Sequence, residues 1–194
     1  LVELGELKHA QEFATETIIK DPDNFDANLC LGQIMRARGD GAGQITAINK
    51  LLHLNGMTPF RSNDSVNQAI TIEHLNCESE NSYDDGPLVS VIMTTWSRDR
   101  LLEVAIESIL KQTHRNLELI IVDDKSEDDC LQYLSSLSKA DSRIKVLQVD
   151  ENGGTYLAKN LGMTVASGEF ITFMDSDDWC HPQRLQKQVE TLLA

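Results

Sequence analysis

Positive charge is scarce in this chain. Its 194 residues hold 17 lysines and arginines against 31 aspartates and glutamates, a formal net charge of −14. That balance argues against nucleic acid or an anionic membrane surface as a partner. No apolar run approaches the length that spans a bilayer, and no basic-then-apolar segment opens the sequence. The four cysteines, Cys30, Cys77, Cys130 and Cys180, form no CxxC pair, and the histidines do not cluster. A zinc site or a disulfide framework is thereby disfavoured, and reduced, partly buried thiols in a cytoplasmic protein are expected. Two phosphate-binding signatures are also missing: GxGxxG after the first expected strand, and GxxxxGK followed by Ser or Thr. The first residue is Leu1 rather than Met, which reads as a piece of a longer protein, and a signal or anchor could have been lost with the missing part. What is present is ordinary for a globular chain. Apolar residues make up 41% and charged residues 25%, enough for one domain and a small second one.

Residues 1–57 carry a repeat at an offset of 34. Gly5-Glu6 recurs as Gly39-Asp40, Ile18 as Leu52, and the break at Pro22 as Gly56. This is the period of tetratricopeptide helix pairs. "DPDNFDANLCLGQIMRARGD" predicts a turn, then a helix with Leu31, Ile34 and Met35 on one face, stopping at Gly39. "GAGQITAINKLLHLNG" predicts a second helix presenting Ile45, Ile48, Leu51 and Leu52. The segment resembles one repeat preceded by the second helix of another, without the large aromatics that mark such repeats; a generic helical hairpin is the alternative. Residues 58–87 change character. "ESENSYDDGP" is acidic and polar, and predicts an exposed linker. Before it, "VNQAITIEHLN" fits a short helix or an edge strand equally well.

From Leu88 the rhythm is regular. Apolar, β-branched runs ("LVSVIMTT", "LELIIVDD", "RIKVLQVD", "EFITFMD") alternate with amphipathic stretches ("RDRLLEVAIESILKQ", "DCLQYLSSLSK", "TYLAKNLGMTVAS", "HPQRLQKQVETLL"). The expected fold class is α/β, a mainly parallel sheet buried on both faces by helices, after an all-α helical-repeat segment. Pro182 is expected in the first turn of the last helix.

Ligands of such sheets bind beyond the carboxyl ends of the strands. There this sequence places Thr94, Thr95 and Trp96, then Asp123 and Asp124, then Asp150, Glu151, Asn152 and Gly153, and finally Asp175, Ser176, Asp177 and Asp178. An aspartate after a strand often caps the following helix, and for Asp123 alone capping is as good a reading as any. A whole rim of carboxylates repels itself unless a cation or donor groups compensate. Oxygen donors suit a hard divalent cation, Mg²⁺ or Mn²⁺, which in turn bridges to phosphate. The "NGGT" turn is a weaker candidate for a phosphate contact through its backbone amides, and Lys159 either adds positive charge or is a solvated helix lysine.

"VSVIMTTWSRDRLLEVAIESILKQTHRNLELIIVDDKS" and "NGGTYLAKNLGMTVASGEFITFMDSDD" together resemble the family 2 glycosyltransferases of the GT-A (Rossmann-like) fold, from about Leu88 to the end. The resemblance implies a nucleotide-diphosphate-sugar site, for a UDP-sugar, with a divalent metal. It places Thr94 and Trp96 at the base, where the family more often has Tyr than Trp. It makes Asp124 the partner of the base, and puts Lys159, where the family commonly has Arg, at phosphate or base. "DSD" matches the family's DxD motif, with Asp177 as metal ligand and Asp175 acting through the metal, its bound water or the ribose. Asp178 would support or cap the motif. Transfer would invert the sugar carbon, with an acidic base for the acceptor expected beyond Ala194, so the donor half alone would be inactive. The acceptor would be a glycan, lipid-linked or other hydroxyl, the location cytoplasmic with possible membrane association of the parent, and the helical repeat a surface for a protein partner. The domains so expected are residues 1–57, a linker 58–87, and 88–194. The alternative is a tetratricopeptide-type interaction module carrying a non-catalytic nucleotide-binding domain. A nucleotidyltransferase is disfavoured because "TTWSRDR" lacks the glycine-rich loop that such enzymes need.

Overall fold

A computed structural model describes residues 6–62, 70–72, 75–77, 82, 83 and 85–194. The chain divides into two compact units, Leu1–Glu78 and Ser79–Ala194.

Among the described residues the first unit holds three α-helices: α1 (Leu7–Lys20), α2 (Phe25–Ala37) and α3 (Gly41–Leu54). Each of the two later helices starts on a side-chain cap, an asparagine for α2 and an aspartate for α3. Asn24 Oδ1 accepts from the Ala27 amide at 3.0 Å, and Asp40 Oδ1 from the Gly43 amide at 2.8 Å, satisfying donors that a helix start leaves open. Gly39 and Gly56, at φ 73° and 62°, follow their ends, a backbone region that costs glycine nothing. Ile34 and Leu51 are buried between the helices.

Residues 58–62, 70–72 and 75–77 belong to this unit rather than to a free tether. Asn49 on α3 holds Phe60 from both sides, donating to its carbonyl at 3.0 Å and accepting from its amide at 2.7 Å. Gln44 accepts from the Ile70 amide at 3.1 Å. Strands β1 (Arg61–Ser62) and β2 (Leu75–Asn76) pair antiparallel, so the described end of "VNQAITIEHLN" is extended. At the near end of the stretch 58–87, expected as a linker, amide side chains on α3 thus satisfy backbone groups of Phe60 and Ile70. Residues 78–81 and 84 of the acidic stretch lie outside the described residues.

In the second unit four parallel strands stand in the order β5-β4-β3-β6: β3 (Val89–Thr95), β4 (Leu117–Asp123), β5 (Ile144–Gln148) and β6 (Phe170–Asp175). Helices α4 (Arg100–Leu110), α5 (Asp128–Ala140), α6 (Thr155–Val165) and α7 (Arg184–Leu193) follow the strands in turn. Odd-numbered residues of β3 and β4, such as Val91, Met93, Leu119 and Ile121, join Ile106, Leu134 and Leu185 from α4, α5 and α7 in one core. Ile92, Ile120 and Val122 point to the other face and pack with Ala158 of α6. This is the expected α/β architecture. The two central strands are buried along their whole length, whereas Ile171 and Phe173 of β6 are exposed.

Pro182 sits just ahead of α7 instead of within its first turn. The segment is held from the end of α4: the Thr113 amide donates to the Pro182 carbonyl at 2.8 Å, and the buried Gln112 amide donates to the His181 carbonyl at 2.8 Å and accepts from the Leu185 amide at 3.0 Å. Ahead of β3, Tyr83 lies parallel to His114, with its amide donating to Thr113 O at 2.7 Å and its carbonyl accepting from the Arg115 amide at 3.0 Å.

Candidate active site at the strand ends

Strands β4 and β5 lie on one side of β3 and β6 on the other, so the chain reverses its direction of progress across the sheet between β3 and β6. Crevices form at such reversals, beyond the carboxyl ends of the strands. Register fixes what meets there. Thr94 lies between Val122 and Asp175, and Thr95 is the neighbour of Asp123. Trp96, the next residue after β3, is 70% exposed on this rim. Asp175 closes β6, and its carbonyl accepts from the Asp178 amide at 3.3 Å, so Ser176 and Asp177 occupy the tip of a tight turn. The carboxylates of Asp175, Asp177 and Asp178 all reach solvent.

The two acids after β4 differ from one another. Asp123 is fully buried, accepting from the Ser126 amide at 3.2 Å and from Gln148 Nε2 at 2.8 Å. It closes the turn after β4 and ties β4 to β5, whereas the following helix α5 starts on Glu127 without a side-chain cap, so Asp123 is not its cap. Asp124 is buried as well. One of its oxygens accepts from the Gly153 amide at 3.0 Å and the other from the Gly154 amide at 2.8 Å, while its carbonyl accepts from Asn152 Nδ2 at 2.9 Å. The amides of "NGGT" are therefore aimed at Asp124 rather than outward at a phosphate. Gly154, at φ 81°, gives the turn its shape as it enters α6.

Lys159, one turn into α6, places its Nζ 2.9 Å from Asp175 Oδ1 and 5.6 Å from the centre of the Phe173 ring. Gly162 lets the helix come this close, because a Cβ there would stand 2.6 Å from Ile92 Cγ2. The structure thus brings Thr94, Asp175 and Lys159 together and sets Trp96 and Asp177 on the same rim, with Asp124 holding the turn beside them.

Three contributors escaped the sequence reading. Gln148 and Gln112 act through hydrogen bonds made far along the chain, and no local pattern announces them. Tyr156, 85% exposed in the first turn of α6, was legible as an aromatic directly after "NGGT".

None of the four cysteines is in a disulfide, and burial raises the thiols of Cys77, Cys130 and Cys180, which favours their protonated form. Among the described residues no group of three or more His, Cys, Asp or Glu side chains could hold a metal ion. Asp175 and Asp177 supply exposed carboxylates alone. Such a donor set fits a hard cation that takes its remaining oxygens from phosphate and water, and does not fit a closed protein cage.

Residues 90–194 match the family described as glycosyl transferase family 2, just over half of the chain. The chain belongs to that family. Among curated relatives of the family 2 domain, the glycosyltransferase GlyG of Streptococcus pneumoniae is 42% identical over 91 residues, covering 47% of this chain and 30% of its own. UDP-Glc:alpha-D-GlcNAc-diphosphoundecaprenol beta-1,3-glucosyltransferase WfgD of Escherichia coli is 38% identical over 109 residues, covering 56% and 42%. The crystal structure of S. aureus TarS in complex with UDP-GlcNAc is 30% identical, with a TM-score of 0.49 over 54% of this chain and 30% of that one. The chain spans less than half the length of these curated relatives. No helix among the described residues is long and apolar enough to cross a membrane.

Proposed function

We propose that the family 2 domain binds a nucleotide-diphosphate sugar, a UDP-sugar, at the β3–β6 crevice as the donor half of an inverting glycosyltransferase. The observation that carries this reading is the position of the Asp175–Asp178 turn: it stands at the chain reversal beside Thr94, within the segment that matches the family. Asp177, with Asp175, would hold Mn²⁺ or Mg²⁺. When bound, that cation offsets the charge gathering on the diphosphate as the bond to the sugar breaks.

The chain's own groups divide the remaining work. Exposed Trp96 offers a face on which a base can stack, and Thr94 lies at the floor of the crevice. Asp124 spends one hydrogen bond on each oxygen and keeps lone pairs for a base N–H. Lys159 supplies one positive charge for phosphate.

The acceptor is proposed to be a hydroxyl on a glycan or lipid-linked carrier, in keeping with the acceptor in the name of WfgD. That acceptor would place the whole protein in the cytoplasm beside a membrane. The three helices of the first unit, read as tetratricopeptide-like, would then serve a protein partner.

Calorimetric titration with UDP, with Mn²⁺ and then with chelator, tests the reading on the wild type and on Asp177→Asn. UDP should bind the wild type in Mn²⁺ and bind Asp177→Asn about tenfold or more weakly, the loss of a charged interaction. In chelator the two proteins should differ little. Equal losses in both conditions would remove Asp177 from the metal, and absence of UDP binding throughout would remove the donor site.

A further inference from the structure

Lys159 and Asp175 face each other on the rim of the crevice. The ammonium is 2.9 Å from Asp175 Oδ1, with its side chain 23% exposed against 56% for the carboxylate. We propose that Lys159 is a built-in placeholder for the divalent cation. It pairs with Asp175 until the donor arrives and then moves to the diphosphate, so that metal and nucleotide load together instead of metal first. This rests on the reading of the Asp175–Asp178 turn as the diphosphate and cation site.

Three features support it. Few protein ligands are on offer, so a lone cation must compete with a lysine for one of only two carboxylates in the DSD turn. Lys159 is also tethered where it must act: it lies one turn before Gly162 on the same side of α6, and Gly162 seats the helix against Ile92. Finally, the pair is easy to break. A half-exposed ion pair adds little stability, and a lysine ammonium swings on a flexible stem, so a multiply charged diphosphate outbids one carboxylate for it. The ammonium also stands over the Phe173 ring, 5.6 Å from its centre, a weak cation–π contact that an arriving diphosphate must outweigh together with Asp175.

The test uses the loss of the free Mn²⁺ electron paramagnetic resonance signal, followed by UDP titration in saturating Mn²⁺. Lys159→Met should bind Mn²⁺ alone roughly threefold to tenfold more tightly than the wild type, because one adjacent positive charge is gone. In saturating Mn²⁺ it should bind UDP more weakly by a similar factor. Lys159→Arg, which keeps the charge, should follow the wild type in both. If Lys159→Met loses its cooperative thermal transition, Lys159→Gln carries the same comparison. Unchanged affinity for Mn²⁺ alone, in a protein whose wild type still binds UDP with Mn²⁺, overturns the placeholder and leaves the donor site standing. Tighter Mn²⁺ with unchanged UDP affinity overturns the movement of Lys159 to the diphosphate. A wild type that binds no UDP in Mn²⁺ overturns both readings together.

Discussion

Asp124 shows how one side chain can serve both the frame and the ligand. Its two oxygens close the gap between the end of β4 and the Gly153–Gly154 turn, so its removal should be felt before any nucleotide is added. Asp124→Ala strands two amides, and should lower stability by about 1–3 kcal/mol in urea denaturation. UDP affinity should fall by a similar amount, again about 1–3 kcal/mol, as the charged acceptor for the base is lost. A mutant of wild-type stability would show that the two amides find water instead. The sequence announced the acids individually and even their shared rim, because aspartates at the ends of apolar strands can be counted. It could not announce which of two adjacent aspartates is buried against Gln148 and which grips a turn, since both partners lie 25 or more residues away along the chain.

Strands and helices were legible because each keeps a single period. The apolar run from Leu117 can only be a strand buried on both faces, and the stretch after Arg98 repeats its apolar residues at helical spacing. What periodicity hides is a polar residue placed deliberately inside a strand. Glu118, buried in β4, accepts from the Ser90 hydroxyl of β3 and the Ser167 amide of the α6–β6 turn, and pairs with Lys145 of β5. Burial by itself would raise this carboxyl, but Lys145, Ser90 and Ser167 together outweigh it and hold it at about 2. Because the folded value lies below the ordinary 4.5, the network stabilises fully above about pH 4.5 and its contribution is lost as the pH falls through about 2. Urea midpoints should therefore drop over that window in the wild type and drop less in Glu118→Gln. At pH 7 the variant should already be weaker by about 1–3 kcal/mol, from the pairing it gives up. Parallel curves for the two proteins would place the acid sensitivity elsewhere.

At the scale of the whole molecule, the described residues of 58–87 are fastened at both ends of that stretch. Asn49 and Gln44 secure part of the near edge to α3, and the far edge is a strap: Tyr83 pairs beside His114, Gly86 accepts from Asn116 Nδ2 at 2.8 Å, and the Pro87 carbonyl lies 2.9 Å from His114 Nε2. A chain starting at Ser82 should unfold in one transition and bind UDP, whereas one starting at Leu88 should be less stable by about 2–4 kcal/mol, the sum of several backbone and side-chain hydrogen bonds. Equal melting of the two would make the strap dispensable and restore the boundary at residue 88. The strand order has a consequence of another kind, for the time course of folding. Val89 pairs with Leu117 on one side but with Phe170 on the other, so the β3–β6 seam joins the partners most remote in the chain. Long-range pairings close late, after nearer ones have shortened the remaining loop. During synthesis β3, β4 and β5 can assemble while the DSD turn has yet to be made. On that order the crevice is completed after the β3–β4–β5 part of the sheet, and a nucleotide seated there would hold shut the sheet joint that spans the longest stretch of chain.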